Sequence, residues 1–182
     1  MKKDISKLCA KQYSNEELLS MISKKIVEAL NGQLNAELYS SYLYLSMSAY
    51  FESTIFKGFA HWMKCQSEEE NIHTSKIYDF IIAQGARVNL TAIEKPISEW
   101  KTPLAVFKAG LNHEKKVTGL INTLIDKLTG EKDYATNNLL QWFTTEQVEE
   151  EDSFSEIVKT LTPIENDVDE IIKVDNQLSK RS

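Results

Sequence analysis

The chain has 182 residues, with 27 acidic and 21 basic side chains and a formal net charge of -6. This length is sufficient for one domain with a sizeable core, and the negative charge argues against general nucleic-acid binding and favours cations as partners. No apolar run reaches membrane-spanning length, no apolar signal segment is present, and the two cysteines lack metal-ligand spacing, which together predict a cytoplasmic protein.

Residues 1–14 are basic and aperiodic, and we interpret residues 1–20 as an extension or tail of a single domain that covers residues 21–182. Ser14 and Glu17 fit a capping box, and Ser20 offers a second possible helix start. A helical pattern of apolar residues then runs to about position 52. Its inward face is Ile22, Ile26, Leu30, Gln33, Glu37, Ser41, Tyr44 and Ser48. A carboxylate therefore interrupts an otherwise largely apolar face near mid-length.

The second predicted helix runs from about Ile55 to Gln84, with Gly85 as its C-terminal cap. Its inward face is Phe56, Phe59, Met63, Gln66, Glu70, His73, Ile77 and Phe80. Glu70 and His73 are three residues apart, so their side chains are neighbours on that face. A Glu-x-x-His pair that projects into a helical bundle is a known way to hold iron or manganese.

Residues 86–102 lack helical periodicity and contain Pro96, which makes this connection long for a compact domain. A helix of about 28 residues is about 42 Å long, and an extended segment of this length can span about 56 Å. The connection can therefore run along the whole bundle and start the third helix at the same end as the second. We expect its apolar side chains to pack on the bundle: Val88, Leu90, Ile93 and Ile97.

The third helix is predicted to begin with Thr102 as N-cap and Pro103 at the first helical position, and to end near Leu128, before Gly130. Its inward face is Leu104, Phe107, Leu111, Glu114, Thr118, Ile121, Ile125 and Leu128. His113 lies about 100° around the helix from Glu114. We therefore interpret His113 as an exposed or packing residue and not as a ligand.

Asp133 is predicted to cap a fourth helix that ends near Leu161. Its inward face is Leu139, Phe143, Glu146 or Gln147, Glu150, Phe154, Ile157 and Leu161. The stretch from Thr162 to Glu165 combines a capping box with proline at the first helical position, and it predicts a short fifth helix that ends near position 178. The pattern is all-α throughout.

Carboxylates interrupt the apolar faces of all four long helices near mid-length: Glu37, Glu70 with His73, Glu114, and Glu146 to Glu150. Several anions that converge inside a bundle repel one another and each carries a desolvation cost. Two bound cations remove both problems. Oxygen-rich ligation with one imidazole suits iron or manganese and disfavours thiolate-type sites. The sequence therefore predicts a dinuclear metal site.

Four motifs in this order and spacing resemble those of a bacterial non-haem ferritin: residues 35–41, residues 69–73, His113-Glu114, and residues 140–151. The resemblance extends from about residue 21 to residue 178. It implies a ferritin-like four-helix bundle with a long crossover and a short fifth helix. It also implies a ferroxidase that oxidises Fe(II) with O₂ or peroxide and stores ferric mineral inside a hollow homo-oligomeric cage of 24 subunits.

The resemblance also implies a division of roles among the ligands. Glu37, Glu70 and His73 would hold the first iron, and Glu70 would bridge to a second iron held with Glu114 and Glu150.

Further residues would surround this pair of irons. Gln147 would lie beside them and orient oxygen or water, and Tyr44 would supply an electron during oxygen reduction. A third, weaker iron site would be formed with the help of Glu69, Glu146 and Glu149.

Haem-containing bacterioferritins are also similar to this chain but differ at two positions. They carry a second Glu-x-x-His on the fourth helix, where this chain has Gln147-x-x-Glu150. Their haem-ligating methionine follows the Glu of the first motif, where this chain has Asn71. We therefore expect no haem.

Three other interpretations compete with iron storage. The basic tail is compatible with a small DNA-protecting ferritin-like cage, but such cages resemble a bundle without the fifth helix and bind iron between subunits. A rubrerythrin-like di-iron redox enzyme usually has a second Glu-x-x-His and often a cysteine-rich iron domain, and this sequence shows neither. A structural bundle without metal is distinguished by whether the purified protein holds iron.

Overall fold

The computed structural model describes residues 20–128 and 133–181. Over these two ranges the chain forms five α-helices, one short 3₁₀ turn and no strand, so the all-α prediction is confirmed. In chain order the elements are α1 (Lys24–Glu52), α2 (Lys57–Ala83), α3 (Pro103–Leu128), α4 (Tyr134–Leu161), the 3₁₀ turn (Thr162–Ile164) and α5 (Val168–Leu178). None of the helices described is both long and apolar enough to cross a membrane.

Helices α1 and α2 form an antiparallel pair. Near one end of the pair, the Met21 amide donates to the Gln84 carbonyl at 2.9 Å. Near the other end, the Ser48 hydroxyl donates to the Ala60 carbonyl at 2.8 Å. The short link between the two helices permits no other arrangement.

Helix α3 is antiparallel to α1, because the Lys25 ammonium near the start of α1 donates to the Lys127 carbonyl near the end of α3 at 2.8 Å. Helices α2 and α3 therefore point the same way. The connection between them must return along the full length of the bundle, as its length predicted.

The crossover runs beside α1 and is attached to it by its backbone. The Asn89 amide donates to the Asn31 side chain at 2.6 Å, and the Ser46 hydroxyl donates to the Ile97 carbonyl at 2.8 Å. Val88 packs against the core. Leu90, Ile93 and Ile97 are exposed, so the expected packing of these three side chains is wrong. Polar side chains of α1 bind the crossover backbone, and these three apolar side chains face outward.

Local capping explains most helix ends. Ser23 begins α1, because its hydroxyl accepts from the Ile26 amide at 3.4 Å. Thr102 accepts from the Ala105 amide at 3.1 Å, and Asp133 accepts from the Thr136 amide at 3.1 Å. At the end of α2, Gly85 adopts a left-handed φ of 69°, which glycine tolerates best. The third helix ends at Leu128, as predicted. The predicted capping box at positions 14–17 and Gly130 lie outside the described residues.

The predicted start of the fifth helix is wrong. Thr162 has helical φ and ψ angles of -57° and -48°, and its hydroxyl donates back to the Val158 carbonyl at 2.6 Å. An N-cap residue needs an extended backbone, so Thr162 does not open a new helix and instead begins the 3₁₀ turn that follows α4. Asp167 is the N-cap of α5, and its side chain accepts from the Glu170 amide at 3.2 Å.

The apolar core of the bundle is divided into two halves. One half contains Tyr44, Met47, Phe59, Phe107 and Phe154 with their neighbours. The other half contains Ile26, Leu30, Ile77, Ile121 and Phe143 with theirs. On each of the four long helices, a buried glutamate lies between residues of the two halves. The interruption that the sequence shows on each helix face is therefore one continuous polar layer.

Candidate metal centre

The polar layer is almost completely closed to solvent. Its buried members are Gln33 and Glu37 on α1, Gln66, Glu70 and His73 on α2, Glu114 on α3, and Gln147 and Glu150 on α4. The four glutamates are each at most 6% exposed. A carboxyl group at this depth must either pair with a positive charge or hold a proton, because burial in a low-dielectric interior disfavours the ionised form.

Three of these residues form a compact cluster. Glu37, Glu70 and His73 each offer a ligand atom within 4.8 Å of those of the other two. His73 Nδ1 lies 3.1 Å from Glu70 Oε2. Two carboxylates and one imidazole from two helices thus converge on one point, as the Glu-x-x-His spacing predicted.

One oxygen of Glu37 is buried and has no hydrogen-bond partner in the described part of the chain. Oε1 accepts from the Gln33 amide at 2.8 Å, whereas Oε2 is buried and has no hydrogen-bond partner among the described residues. Burial raises the pKa of Glu37 to about 7. A buried acceptor that remains unpaired is costly, and a cation at this point would satisfy it.

The other carboxylates of the layer also hold their protons more tightly than usual. Burial and the neighbouring Glu37 raise the pKa of Glu70. Burial also raises the pKa of Glu114. Burial, followed by the charges of Glu114 and Glu69, raises the pKa of Glu150 to about 8. Cations and protons therefore compete for the same oxygens, and metal binding is expected to release protons.

Two side chains position Glu114. The Tyr44 hydroxyl donates to Oε1 of Glu114, and the Gln147 amide donates to Oε2 at 3.1 Å. Burial raises the pKa of Tyr44 well above its ordinary value, so its phenol is neutral and able to donate. On α4, Gln147 is buried and Glu146 is partly exposed, which settles the choice between these two neighbours that the helix pattern left open.

His73 is a neutral imidazole in this environment. Burial and the nearby Lys76 ammonium lower its pKa to about 4. The ring is held edge-on against Trp142 and Phe143, with ring centroids 5.5 and 5.9 Å away. A neutral imidazole with a fixed ring is able to bind a metal ion near neutral pH.

The three residues expected at a third site lie on the open side of the layer. Glu146 Oε1 is 3.9 Å from His73 Nε2. Burial and the charges of Glu149 and Glu69 raise the pKa of Glu146, so both of these carboxylates lie near enough to act on Glu146. Glu69 accepts a hydrogen bond from the Arg181 guanidinium.

Sequence reasoning assigned no role to some residues of the layer. Gln66 donates to the Glu150 carboxylate. Its place in the sequence, four residues before Glu70 on the same helix face, could have indicated that it belongs to the layer. Thr118 accepts from Gln147 at 3.2 Å and donates to Glu151 at 2.6 Å. A groove of about 560 Å³ between α3 and α4 is lined by Thr118, Gln147 and Glu151 among others.

The interpretation of His113 as a packing residue is confirmed. Its Nε2 lies 2.8 Å from the Ser40 hydroxyl, and its ring packs against Tyr39 and Tyr44. It is not a member of the cluster formed by Glu37, Glu70 and His73.

Comparisons with known proteins agree with this geometry. The family model described as a ferritin-like domain matches residues 27–164. A bacterial non-heme ferritin from Bacteroides fragilis is 47% identical over 138 residues, which cover 76% of this chain and 87% of that protein. A bacterial non-heme ferritin from Staphylococcus haemolyticus is 38% identical over 162 residues, covering 89% of this chain and 98% of the relative.

Solved structures show the same relationship. The open pore ferritin of the hyperthermophilic archaeon Archaeoglobus fulgidus is 50% identical and superposes with a TM-score of 0.87, over 88% of this chain and 98% of that chain. The family match covers most of the bundle and includes all four helices that form the polar layer. The chain therefore belongs to the ferritin family.

Proposed function

We propose that this protein stores iron by oxidising Fe(II) at the polar layer and depositing ferric mineral inside a hollow cage built from copies of the chain. Its family and the polar layer support this function. The observation that carries it is the buried cluster of Glu37, Glu70 and His73, in which one Glu37 oxygen has no hydrogen-bond partner among the residues described.

In this proposal, Glu37, Glu70 and His73 hold the first iron. Glu70 bridges to a second iron, which Glu114 and Glu150 also bind. Two Fe(II) ions a few ångströms apart deliver two electrons to O₂ together, which avoids a one-electron step to superoxide. Two protons balance the reduction of O₂ to peroxide. Mostly oxygen ligands suit both iron oxidation states and allow Fe(III) to leave.

Gln147 and Tyr44 support the reaction. Each donates to Glu114, so each fixes the orientation of one ligand oxygen. We propose that Gln147 orients oxygen or water beside the irons, and that Tyr44 is the nearby electron donor. Glu69, Glu146 and Glu149 form a third, weaker site on the open side of the layer.

The remaining features of the proposal concern the whole chain. The folded domain is residues 21–182, preceded by the N-terminal extension, and the cage has 24 subunits. The location is cytoplasmic and no haem is bound. The candidate ligands come from four helices of one chain, and α5 is present. Both features favour iron storage over a small DNA-protecting cage that binds iron between subunits.

An aerobic Fe(II) loading series on the purified apo-protein tests the proposal, with iron and protein detected together during size-exclusion chromatography. Storage predicts that many more iron atoms than ligand sites elute with a very large particle. Iron that stops at two or three atoms per chain on a small species would support a di-iron redox protein instead. Protein that holds no iron would contradict both.

A further inference from the structure

Arg181 follows the end of α5 and lies against α2, where three side chains hold its guanidinium. The group stacks over the Trp62 ring at 4.5 Å. One nitrogen donates to Gln66 Oε1 at 2.7 Å, and another donates to the Glu69 carboxylate. In addition, the Arg181 carbonyl lies 2.8 Å from His61 Nε2. These contacts place one positive charge beside the polar layer.

Gln66 connects this arginine to the proposed iron ligands. Its amide oxygen accepts from Arg181, and its amide nitrogen donates to the Glu150 carboxylate. Because a guanidinium can only donate, Arg181 selects the orientation of the Gln66 amide that points the nitrogen at Glu150. One intervening side chain therefore separates the charge of Arg181 from a proposed ligand of the second iron.

We propose that Arg181 is a displaceable counter-ion of the iron centre: its guanidinium occupies the Glu69 side of the layer and leaves when a third cation binds there. This inference rests on the third site of the proposed function. A cation bound at Glu69 and the Arg181 guanidinium would repel each other, so the Glu69 carboxylate binds a cation less tightly while Arg181 donates to it.

The pair is suited to exchange. The Arg181 and Glu69 side chains remain 21% and 42% exposed, and partly exposed ion pairs are weak because water screens them. Release of Arg181 also frees the Gln66 amide and alters the contact that Gln66 makes with Glu150. By thermodynamic linkage, cation binding at Glu69 weakens the docking of Arg181 by the same factor by which Arg181 weakens the cation.

Calorimetric titration of the apo-protein with Zn²⁺, which has no redox chemistry, measures how Arg181 affects cation binding. We expect Arg181→Gln to tighten the weakest Zn²⁺ site by about two- to fivefold, the size expected for loss of a partly exposed ion pair. Lys180→Gln removes the neighbouring positive charge from an exposed side chain and should leave all sites unchanged.

Arginine modification by phenylglyoxal measures how cation binding affects the docking of Arg181. The chain has two arginines, Arg87 and Arg181, so Arg87 is an internal reference. Peptide mass spectrometry should show that Zn²⁺ accelerates modification of Arg181 several-fold and leaves the rate at Arg87 unchanged. In Glu69→Gln, Arg181 should react rapidly even without Zn²⁺.

The outcomes separate this inference from the proposed function. If the tight Zn²⁺ sites are intact but Arg181→Gln does not change the weakest site, the counter-ion role is wrong and the iron centre stands. Modification of Arg181 at the same rate with and without Zn²⁺ would also overturn the inference. If neither the wild-type protein nor any variant binds Zn²⁺ at the layer, the assignment of the iron centre is wrong, and the inference fails with it.

Discussion

Asp175 of α5 caps the first turn of α2 across the bundle. Its Oδ1 accepts from the Phe59 amide at 2.7 Å, and its Oδ2 accepts from the Gly58 amide at 3.1 Å. Helix α2 has Phe56 at its own N-cap position, where no side chain can accept these bonds. The carboxylate that caps the start of α2, the helix that carries Glu70, is therefore in place only when α5 is docked.

Asp175→Ala is expected to destabilise the apo-protein by about 2–3 kcal/mol, because it leaves two buried amides without acceptors. Denaturant unfolding at fixed protein concentration measures this loss. The control is Asp169→Ala, which removes an exposed carboxylate from the same helix and should change stability by less than about 0.5 kcal/mol. Equal effects of the two variants would contradict the capping role.

Gly58→Ala is expected to separate α5 from α2. A Cβ at this position would lie 1.8 Å from the Asp175 carbonyl oxygen, a backbone atom that cannot move aside. We expect a loss of about 3 kcal/mol or more in the free energy of unfolding. Gly32→Ala is the matched control: nothing lies within 4 Å of its added Cβ, so it should stabilise α1 by up to about 1 kcal/mol. A similar response at both glycines would show that α5 does not dock as described.

Glu70→Ala is expected to slow Fe(II) oxidation at least about tenfold while leaving the assembly intact, because Glu70 is the proposed bridge between the two irons. Stopped-flow absorbance of the ferric product and size-exclusion chromatography measure the two properties. Glu68→Ala, an exposed neighbour on the same helix, should keep the wild-type rate. Oxidation by Glu70→Ala at the wild-type rate would place the centre elsewhere.

The apo-protein is expected to lose stability as the pH rises from 6.5 to 8. Burial raises the pKa of Glu37 to about 7 and that of Glu150 to about 8, so the folded state binds more protons than the unfolded state in this window. The two groups together predict a loss of about 2 kcal/mol. Burial lowers the pKa of His73 and His113 to about 4, and these residues act in the opposite direction, mainly below pH 6.5.

Chemical denaturation of the apo-protein at half-unit pH steps tests this trend. The double variant Glu37→Gln/Glu150→Gln should have a much flatter profile between pH 6.5 and 8. Bound Zn²⁺ should stabilise the wild-type protein more as the pH rises, because the cation replaces the two protons. A wild-type apo-profile that rises through this window would mean that these carboxyls are ionised in the absence of metal.

Helical periodicity predicted much of the polar layer. Residues three or four apart share a helix face, so Glu37, Glu70, His73, Glu114 and Glu150 could each be assigned to the interior of their helices. Glu146 and Gln147 are separated by 100° and both lie near the edge of that face. Periodicity cannot choose between them, and packing against Glu114 and Thr118 places Gln147 inside.

The helix pattern, the polar break on each helix and the length of the crossover could be predicted from the sequence, because they depend on local spacing and capping. The folded structure shows three further features that no pattern predicted: Thr162 forms a 3₁₀ turn, Asp175 caps α2, and Arg181 reaches Glu69. The last contact joins residues 112 positions apart. Local periodicity carries no information about such a pair, since the contact depends on how the end of α5 docks against α2.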